Sequence, residues 1–394
     1  MKVALAGYGS RGDIEPLVAV GRELLRRGHD VGTAVPPNMV GFVESVGLSA
    51  VAYGRDSEGQ NILGLDASGF FENPMSMLTP ILERFSQIWA EKSETLTALA
   101  NGAHVLVAGI TEQALAANVA EYHGIPLAAL HYNPEPIMLS RPGQLYSLVT
   151  KEAGDAQRRA LGLPEAEPSR GQPSLEIQGY EGFCFPALPA KWAERGLRRP
   201  FVGVLTLELP TDADDEVLSW IAEGSPPISF GFGSTHVPPE AVATISAACA
   251  QLGERALVCA GWSDLTHADP HSDHVKIVAE LNYGAVFPAC RAAVHHGGAG
   301  TTAAAMRAGI PTLIVFHPAA PDQPWWAAAT NELGVGFGRP LFEFAQETLV
   351  GDLQSILTPD RVSRAREVAT QMTKPGESVA RAADLVEETA KEPR

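Results

Sequence analysis

Apolar and polar positions along the first half of the chain predict strands separated by helices. Residues 3–6 are apolar and end in glycines, residues 14–27 repeat with a helical period, and residues 31–35 are apolar again. A strand, a glycine turn, a helix and a second strand in this order form a βαβ unit, which implies a parallel sheet. The same order returns within residues 104–130, so an open α/β sheet with helices on its faces is expected here.

A second series of elements occupies the rest of the chain, after a segment with a weaker pattern. Residues 133–182 are rich in Pro, Gly, Arg and Glu and are predicted to be loops that shape a pocket or a lid. A polar stretch that begins at Pro210 is predicted to be the interdomain linker. The later predicted elements are strands at 227–232, 255–260, 275–278, 292–295 and 312–316, and helices at 239–251, 301–308 and 379–388. Two such sheets are expected to bind ligands at the carboxyl ends of their strands, facing a cleft between domains.

The size and composition of the chain exclude several classes of protein. A length of 394 residues is too great for one hydrophobic core, and 45% hydrophobic with 19% charged residues describes a folded, soluble protein. No segment approaches the ~18 apolar residues of a membrane span, and the N-terminus lacks the apolar region of a secretory signal. With 46 acidic and 29 basic residues the net charge is −17, which argues against a nucleic-acid partner and favours a role in solubility.

The four cysteines predict neither a metal site nor a disulfide framework. They stand at positions 184, 249, 259 and 290, without any Cys-x-x-Cys spacing. Cys249 and Cys259 lie in apolar segments and are expected to be buried in the core. Reduced cysteines suit a cytoplasmic protein.

The turn that follows the predicted strand at 292–295 is the strongest candidate for an anion site. His295 and His296 precede Gly297, Gly298, Ala299 and Gly300, and Thr301 and Thr302 open an alanine-rich helix. Unpaired N–H groups and the positive end of a helix dipole bind phosphate, to which a histidine and a threonine hydroxyl would add donors. The alternative is a glycine turn that only allows tight packing; the two histidines favour the anion site.

Three further segments carry candidate chemistry. Residues 231–235 form a glycine turn without a P-loop lysine, in which Ser234 either donates to a phosphate or caps the helix near Pro239. The turn at 7–12 imitates a dinucleotide fingerprint, but the carboxylate of Asp13 would repel a diphosphate and disfavours NAD. Asp13 is then either a helix cap or a general base. Asp322 and Gln323 could bracket sugar hydroxyls, or could form a turn before a helix whose two tryptophans are core residues.

Together these four segments resemble the family 1 glycosyltransferases of GT-B fold, most closely the glycopeptide-antibiotic, sterol and bacterial glycolipid branch. The matching motifs are Gly9-Ser10-Arg11-Gly12-Asp13-x-x-Pro16, Gly231-Phe232-Gly233-Ser234, the run from His295 to Thr302, and Asp322-Gln323. The likeness covers the whole chain. It implies an α/β protein with two Rossmann-like domains whose parallel sheets face an interdomain cleft. An acceptor-binding domain at 1–208 and a nucleotide-sugar-binding domain at 209–374 are expected, with a last helix at about 375–394 returning to the first domain.

The resemblance implies an inverting, metal-independent transfer from a UDP- or dTDP-sugar to a hydroxyl, without a cofactor. Asp13 would be the catalytic base. The residues expected to bind the donor are Ser10, Arg11, Gly12, Ser234, Trp262, Leu281, His296, Gly298, Ala299, Gly300, Thr301, Asp322 and Gln323.

The chain departs from the family pattern at two places. Plant relatives have a histidine base that an aspartate orients, whereas here Asp13 stands at the matching position and Glu112 is the nearest second carboxylate. Many relatives also stack the nucleobase on the tryptophan of a Trp-x-Pro-Gln segment, which this chain lacks. Trp262, or the backbone of Leu281, is expected to hold the base instead.

The acceptor is predicted to be a small hydrophobic molecule or a lipid, such as a glycolipid, a sterol or a natural-product aglycone. The segments 55–82 and 133–182 would form its pocket, with Phe70, Met75, His131 and Tyr132 as candidate contacts. The first segment is rich in apolar side chains, which could equally be core positions of helices. Peripheral contact of a cytoplasmic enzyme with the inner membrane face fits such an acceptor. Two rival functions are a sugar-nucleotide 2-epimerase of the same fold and a non-catalytic sugar-nucleotide-binding protein.

Overall fold

A computed structural model describes residues 1–58, 74–134, 141–165, 173–197, 199–265, 273–318, 320 and 322–391. The chain forms two compact units. Unit 1 comprises Met1–Gly182, Pro186–Leu207 and Lys374–Arg394, and unit 2 comprises Phe183–Phe185 and Glu208–Thr373. The sequence placed the domain boundary between residues 208 and 209, and the start of the last helix near residue 375.

Unit 1 is built on a sheet of parallel strands. These are β1 (Lys2–Ala6), β2 (Asp30–Val35), β3 (Ser49–Ala52), β4 (Val105–Gly109), β5 (Leu127–His131) and β6 (Leu175–Gln178). They pair in the order β3-β2-β1-β4-β5-β6. The helices in this part of the chain are α1 (Arg11–Arg26), α2 (Val40–Ser45), α3 (Pro74–Ala100), α4 (Gln113–His123), α5 (Arg141–Ala160) and α6 (Ala187–Glu194).

Unit 2 repeats this architecture. Its strands are β7 (Ile228–Gly231), β8 (Ala256–Cys259), β9 (Val275–Val278), β10 (Ala292–His295), β11 (Thr312–Phe316) and β12 (Gly336–Pro340). They pair in parallel in the order β12-β11-β10-β7-β8-β9. Its helices are α7 (Asp214–Ala222), α8 (Glu240–Leu252), α9 (Tyr283–Val286), α10 (Ala299–Ala308), α11 (Gln323–Glu332), α12 (Gln346–Ile356) and α13 (Pro359–Ala369).

The last helix, α14 (Pro375–Thr389), packs on α1 in unit 1. Ala382, Ala383 and Val386 enter the same apolar core as Leu17 and Leu24 of α1. Beyond this core, Arg27 Nη1 lies 2.6 Å from Asp384 Oδ1, and His29 Nε2 lies 2.7 Å from Glu387 Oε1. Apolar burial, the Arg27–Asp384 ion pair and the contact between His29 and Glu387 therefore hold α14 on α1.

Parallel pairing explains why the central strands are buried along their whole length. All five residues of β4, and all four of β7 and β10, are buried, because helices cover both faces of such a sheet. Cys249 and Cys259 are buried as predicted, as are Cys184 and Cys290, and all four are free thiols. No helix in the described ranges combines the length and the apolar character that crossing a membrane requires.

The prediction of loops for residues 133–182 was wrong for α5 and β6. The described side chains of α5, from Thr150 onward, include no large apolar residue. Buried polar contacts hold this helix instead: Gln157 accepts a hydrogen bond from Trp89 Nε1 at 3.0 Å, and Arg158 donates to Asn118 at 2.9 Å. Periodicity of hydrophobic residues cannot detect a helix that packs through amides and a guanidinium.

Candidate active site and donor-binding site

Asp13 lies in the first turn of α1, directly after the glycine turn at the carboxyl end of β1. The Ser10 backbone N–H donates to Asp13 Oδ2 at 2.7 Å, and the Ser10 hydroxyl donates to the same oxygen at 3.1 Å. The carboxylate therefore caps the helix, which was one of the two predicted roles. This capping uses Oδ2 alone and leaves Oδ1 for other contacts.

Tyr132 holds the second oxygen of this carboxylate. Its hydroxyl donates to Asp13 Oδ1 at 3.2 Å, and the side chain, which follows β5, is only 5% exposed. The sequence suggested Tyr132 as an acceptor contact; the structure places its hydroxyl on the candidate base.

Gly9 makes room for this arrangement. Its φ of +138° is one that side-chain-bearing residues rarely adopt, and a Cβ there would overlap the carboxylate of Asp13. Glycine is therefore required at position 9 for the Asp13 side chain to lie where it does.

Opposing effects set the pKa of Asp13. Burial raises it, whereas the hydrogen bonds from the Ser10 N–H, the Ser10 hydroxyl and the Tyr132 hydroxyl lower it. Burial prevails, so the pKa of Asp13 lies above the usual range of an aspartate. This direction suits a proton acceptor, because a carboxylate with a raised pKa is a stronger base.

Glu112 was suggested from the sequence as the partner that orients Asp13, and the structure places it elsewhere. It is buried, with Oε1 2.6 Å from Lys92 Nζ and Oε2 2.5 Å from the Tyr53 hydroxyl. The Lys92 ammonium also lies 4.1 Å from the centre of the Tyr8 ring. Glu112 is thus one half of a buried ion pair beside the glycine turn. Tyr132 and Ser10 provide the contacts to Asp13.

The other residues predicted in unit 1 have mixed surroundings. Arg11 is exposed and pairs with Glu15 at 2.9 Å, and Gly12 is exposed. His131 ends β5 with Nε2 3.4 Å from a carboxylate oxygen of Glu176. Phe70 lies outside the described residues, and for Met75 the structure describes only the backbone, in the first turn of α3.

In unit 2, the His296 imidazole fits between two glycines from different turns. A Cβ on Gly233, which follows β7, would lie 2.5 Å from His296 Cε1. A Cβ on Gly298, which follows β10, would lie 2.6 Å from His296 Nε2. Because β7 and β10 are neighbouring strands, the two predicted glycine turns meet at this ring.

The helix after His296 begins at Ala299, two residues earlier than predicted. Its first internal hydrogen bond runs from the Thr302 N–H to the Gly298 carbonyl at 3.0 Å, so the N–H groups of Ala299, Gly300 and Thr301 have no partner inside the helix. The Thr302 hydroxyl is buried and donates to the same carbonyl at 2.9 Å. Of the two threonines, Thr301 is therefore the one that can offer a hydroxyl to a ligand.

Both histidines at this turn are neutral at neutral pH. Burial lowers the pKa of His295 to about 3 and that of His296 to about 4, where a hydrogen bond with the Gly231 backbone acts in the opposite direction. His295 Nδ1 accepts a hydrogen bond from the Gly297 N–H at 3.1 Å, which places its proton on Nε2. His296 therefore meets an anion as a neutral imidazole, and a bound anion would raise its pKa.

Gln323 connects the turn after β11 with the turn after β7. Its Oε1 accepts from the His317 N–H at 2.8 Å, and its Nε2 lies 3.5 Å from the Thr235 hydroxyl. The sequence named Gln323 but assigned no role to Thr235. The neighbouring Ser234 is not the cap of α8, because that position belongs to Pro239. The capping alternative for Ser234 is therefore wrong.

The remaining predicted donor residues stand at strand ends of the same sheet. The backbone N–H of Trp262 donates to the Gly233 carbonyl at 2.9 Å, so the turn after β8 contacts the turn after β7. Leu281 is partly buried against the core, and Asp322 precedes α11. The tryptophans of α11 were both expected in the core: Trp326 is fully buried, but Trp325 is 39% exposed.

No cluster of three or more His, Cys, Asp or Glu side chains suited to a metal ion occurs within the described residues. The contacts that sequence reasoning missed join residues far apart in the chain, such as Tyr132 with Asp13. Their only signal was a position at the carboxyl end of a parallel strand, where such folds collect functional groups.

Two family models match the chain. The glycosyltransferase family 28 N-terminal domain matches residues 3–135, and the erythromycin biosynthesis protein CIII-like C-terminal domain matches residues 258–391. Together they include Asp13, His296 and Gln323.

Several proteins that are similar along the whole chain are named as glycosyltransferases. An uncharacterized glycosyltransferase of Mycobacterium tuberculosis is 53% identical, with 100% of both chains covered. The vancomycin aglycone glucosyltransferase of Amycolatopsis orientalis is 30% identical, with 96% of both chains covered. A crystal structure of glycosyltransferase VinC in complex with DTDP has a TM-score of 0.70 at 18% identity, covering 99% of this chain and 100% of that one. The chain therefore belongs to the glycosyltransferases of GT-B fold, in the group that includes the glycopeptide-antibiotic enzymes.

Proposed function

We propose that this glycosyltransferase moves a sugar from a UDP- or dTDP-sugar to a hydroxyl of an apolar acceptor, with inversion at the anomeric carbon. The observation that carries the proposal is the position of the His296 side chain between Gly233 and Gly298, beside the N-terminus of α10. Fixed N–H groups, a helix dipole and an imidazole at one point suit a leaving diphosphate.

The donor side of the reaction needs a site for growing negative charge. As the bond from the anomeric carbon to the diphosphate breaks, the charge grows on the phosphate oxygens. The N–H groups of Ala299, Gly300 and Thr301 and the His296 imidazole would stabilise it, with Ser234 as a further donor. A relative bound to DTDP supports a nucleoside diphosphate as the leaving group.

The acceptor side needs a base. The acceptor oxygen attacks the anomeric carbon from the side opposite the diphosphate, and its proton passes to the Asp13 carboxylate. A single displacement of this kind inverts the configuration. The raised pKa of Asp13 favours its part in this step.

Other residues would fix the donor in place. Asp322 and Gln323 would hold sugar hydroxyls. Gln323 Oε1 already accepts from a backbone N–H, and one N–H of its Nε2 faces the Thr235 hydroxyl, so the second N–H of Nε2 would be the donor to the sugar. Trp262, whose backbone is tied to the Gly233 turn, would contact the nucleobase together with the Leu281 backbone.

The acceptor is proposed to be a glycolipid, a sterol or a natural-product aglycone. The support is the apolar character of residues 62–78 together with the printed name of a relative that glucosylates an antibiotic aglycone.

A donor panel tests the proposal. UDP-, dTDP- and GDP-sugars are compared by thermal shift, since a ligand that binds the folded state raises the melting temperature. Turnover with the stabilising donor and a set of apolar alcohols is then followed with and without EDTA. We expect a glycoside of inverted configuration, equally in both conditions. Conversion of the donor sugar without an acceptor would indicate an epimerase, and loss of turnover in EDTA would contradict metal independence.

A further inference from the structure

The two oxygens of the Asp13 carboxylate have unequal surroundings. Oδ2 accepts from both the N–H and the hydroxyl of Ser10, at 2.7 and 3.1 Å, while Oδ1 accepts from the Tyr132 hydroxyl alone, at 3.2 Å. An ionised carboxylate oxygen has two lone-pair positions. Oδ2 is therefore saturated, and the free acceptor position belongs to Oδ1.

We propose that Tyr132 is the positioning residue of the Asp13 base, and that its hydroxyl turns Oδ1 toward the hydroxyl that is to be deprotonated. This inference rests on the proposed function, because it assigns a role relative to that base. In plant relatives an aspartate orients a histidine base; here a phenol would orient a carboxylate.

Tyr132 is well suited to hold one conformation. Its side chain is only 5% exposed, so the surrounding protein restricts its conformations. A confined donor loses little rotamer freedom when it binds the carboxylate. Burial beside Asp13 keeps the pKa of Tyr132 well above its usual value, so the phenol stays protonated and donates throughout the working pH range.

Neighbouring charges are already engaged with other groups. Glu112, which also raises the pKa of Tyr132, is paired with Lys92. Ion pairs on and around α1 and β5 include Arg11–Glu15, Arg26–Glu23, Arg27–Glu23, Arg27–Asp384, Lys92–Glu112 and Arg199–Glu176. The imidazoles of His29 and His131 lie 2.7 and 3.4 Å from the carboxylates of Glu387 and Glu176. The pKa of Asp13 is thus set by its burial and by its hydrogen bonds with Ser10 and Tyr132.

The test is the pKa of Asp13 itself in Tyr132→Phe. The full chain is labelled with ¹³C at aspartate carboxyls, and the Asp13 signal is identified by its absence in Asp13→Asn. Loss of a hydrogen bond to the charged form should raise this pKa by about one unit. Tyr180→Phe is the matched control: Tyr180 is fully buried in the same unit, its hydroxyl donates to Gln178 at 2.8 Å, and its loss should leave the Asp13 signal unchanged.

The rate profile separates this inference from the proposed function. In Tyr132→Phe the apparent pKa of the acidic limb of the kcat/KM profile should rise by the same amount, and the KM for the donor should not change. An unchanged Asp13 pKa overturns the inference, and a raised acceptor KM with an unchanged limb assigns Tyr132 to acceptor binding instead. If the carboxyl pKa moves while the limb stays, Tyr132 holds Asp13, but Asp13 is not the base.

Discussion

The His296 imidazole packs so closely on Gly233 that no larger residue fits there: a Cβ on the glycine would lie 2.5 Å from Cε1 of the ring. The glycine has a φ of +56°, and the two residues lie 63 positions apart in the chain. The candidate diphosphate site thus depends on a residue that offers the ligand no side chain at all.

The first prediction concerns this contact. Gly233→Ala should displace the imidazole and weaken binding of a nucleoside diphosphate by at least tenfold, measured by calorimetry. Gly253→Ala is the matched control, because Gly253 has a similar φ of +68° but nothing within 4 Å of its Cβ position. Both variants should lose about 1 kcal/mol of folding stability, and only the first should lose affinity. Equal nucleotide affinities of the two variants would show that binding does not depend on the present position of the His296 ring.

His296→Ala should remove one donor to the leaving group. A lost donor of this kind costs on the order of 3 kcal/mol of transition-state stabilisation, which is roughly a hundredfold or more in kcat. The control is His274→Ala, since His274 bonds the Ser246 carbonyl at 3.0 Å at the far end of the same sheet. Near-normal turnover in a folded His296→Ala enzyme would reject the assignment.

Asp13→Asn should lower kcat by about 10²–10⁴-fold and leave donor affinity unchanged. The amide oxygen can still accept from Ser10, so the helix cap survives. Because the folded state raises the pKa of Asp13, the ionised carboxylate weakens the fold, and Asn should not lower the melting temperature at pH 7. Asp13→Ala should lose about 1 kcal/mol through the missing cap. An active Asp13→Asn would leave capping as the only role.

His295 should make the fold sensitive to acid. Its pKa falls from 6.5 to about 3 on folding, so its neutral form contributes stability that is complete above pH 6.5 and is lost as the pH falls toward 3. Between pH 7 and pH 4.5 the loss should be about 2.5 kcal/mol. In urea titrations, His295→Asn should show a shallower loss than the wild type, and the exposed His104→Asn should match the wild type. Parallel pH curves for all three would contradict the prediction.

Lys92→Met should destabilise unit 1 by about 3 kcal/mol, because it leaves the Glu112 carboxylate buried without its cation. Adding Glu112→Gln should restore much of this loss. The exposed pair Lys151–Asp155 provides the control, and Lys151→Met should not change the unfolding midpoint measurably. A single mutant as stable as the double mutant would mean that Glu112 takes up a proton at little cost.

From the sequence one could predict that the candidate site residues lie at strand ends, but not which contacts hold their side chains. Asp13 and His296 could be predicted because each lies at a glycine turn where a strand pattern ends, with glycines before Asp13 and after His296. Such turns lie at one edge of a parallel sheet. The Tyr132 contact joins positions 119 residues apart, and only the pairing of β1, β4 and β5 brings them together. Glu112, the second carboxylate that the motif suggested as a partner of Asp13, forms an ion pair with Lys92 instead. Helix α5 was missed because its buried contacts are polar.

Gly9 and Asp13 form a linked pair for any redesign of this enzyme. Alanine at position 9 would be strained by the φ of +138° whatever residue stands at position 13, and its Cβ would also overlap the present carboxylate. A smaller residue at position 13 would remove only the second of these two obstacles. Any redesign of the base therefore has to keep glycine at position 9 and vary position 13 against it.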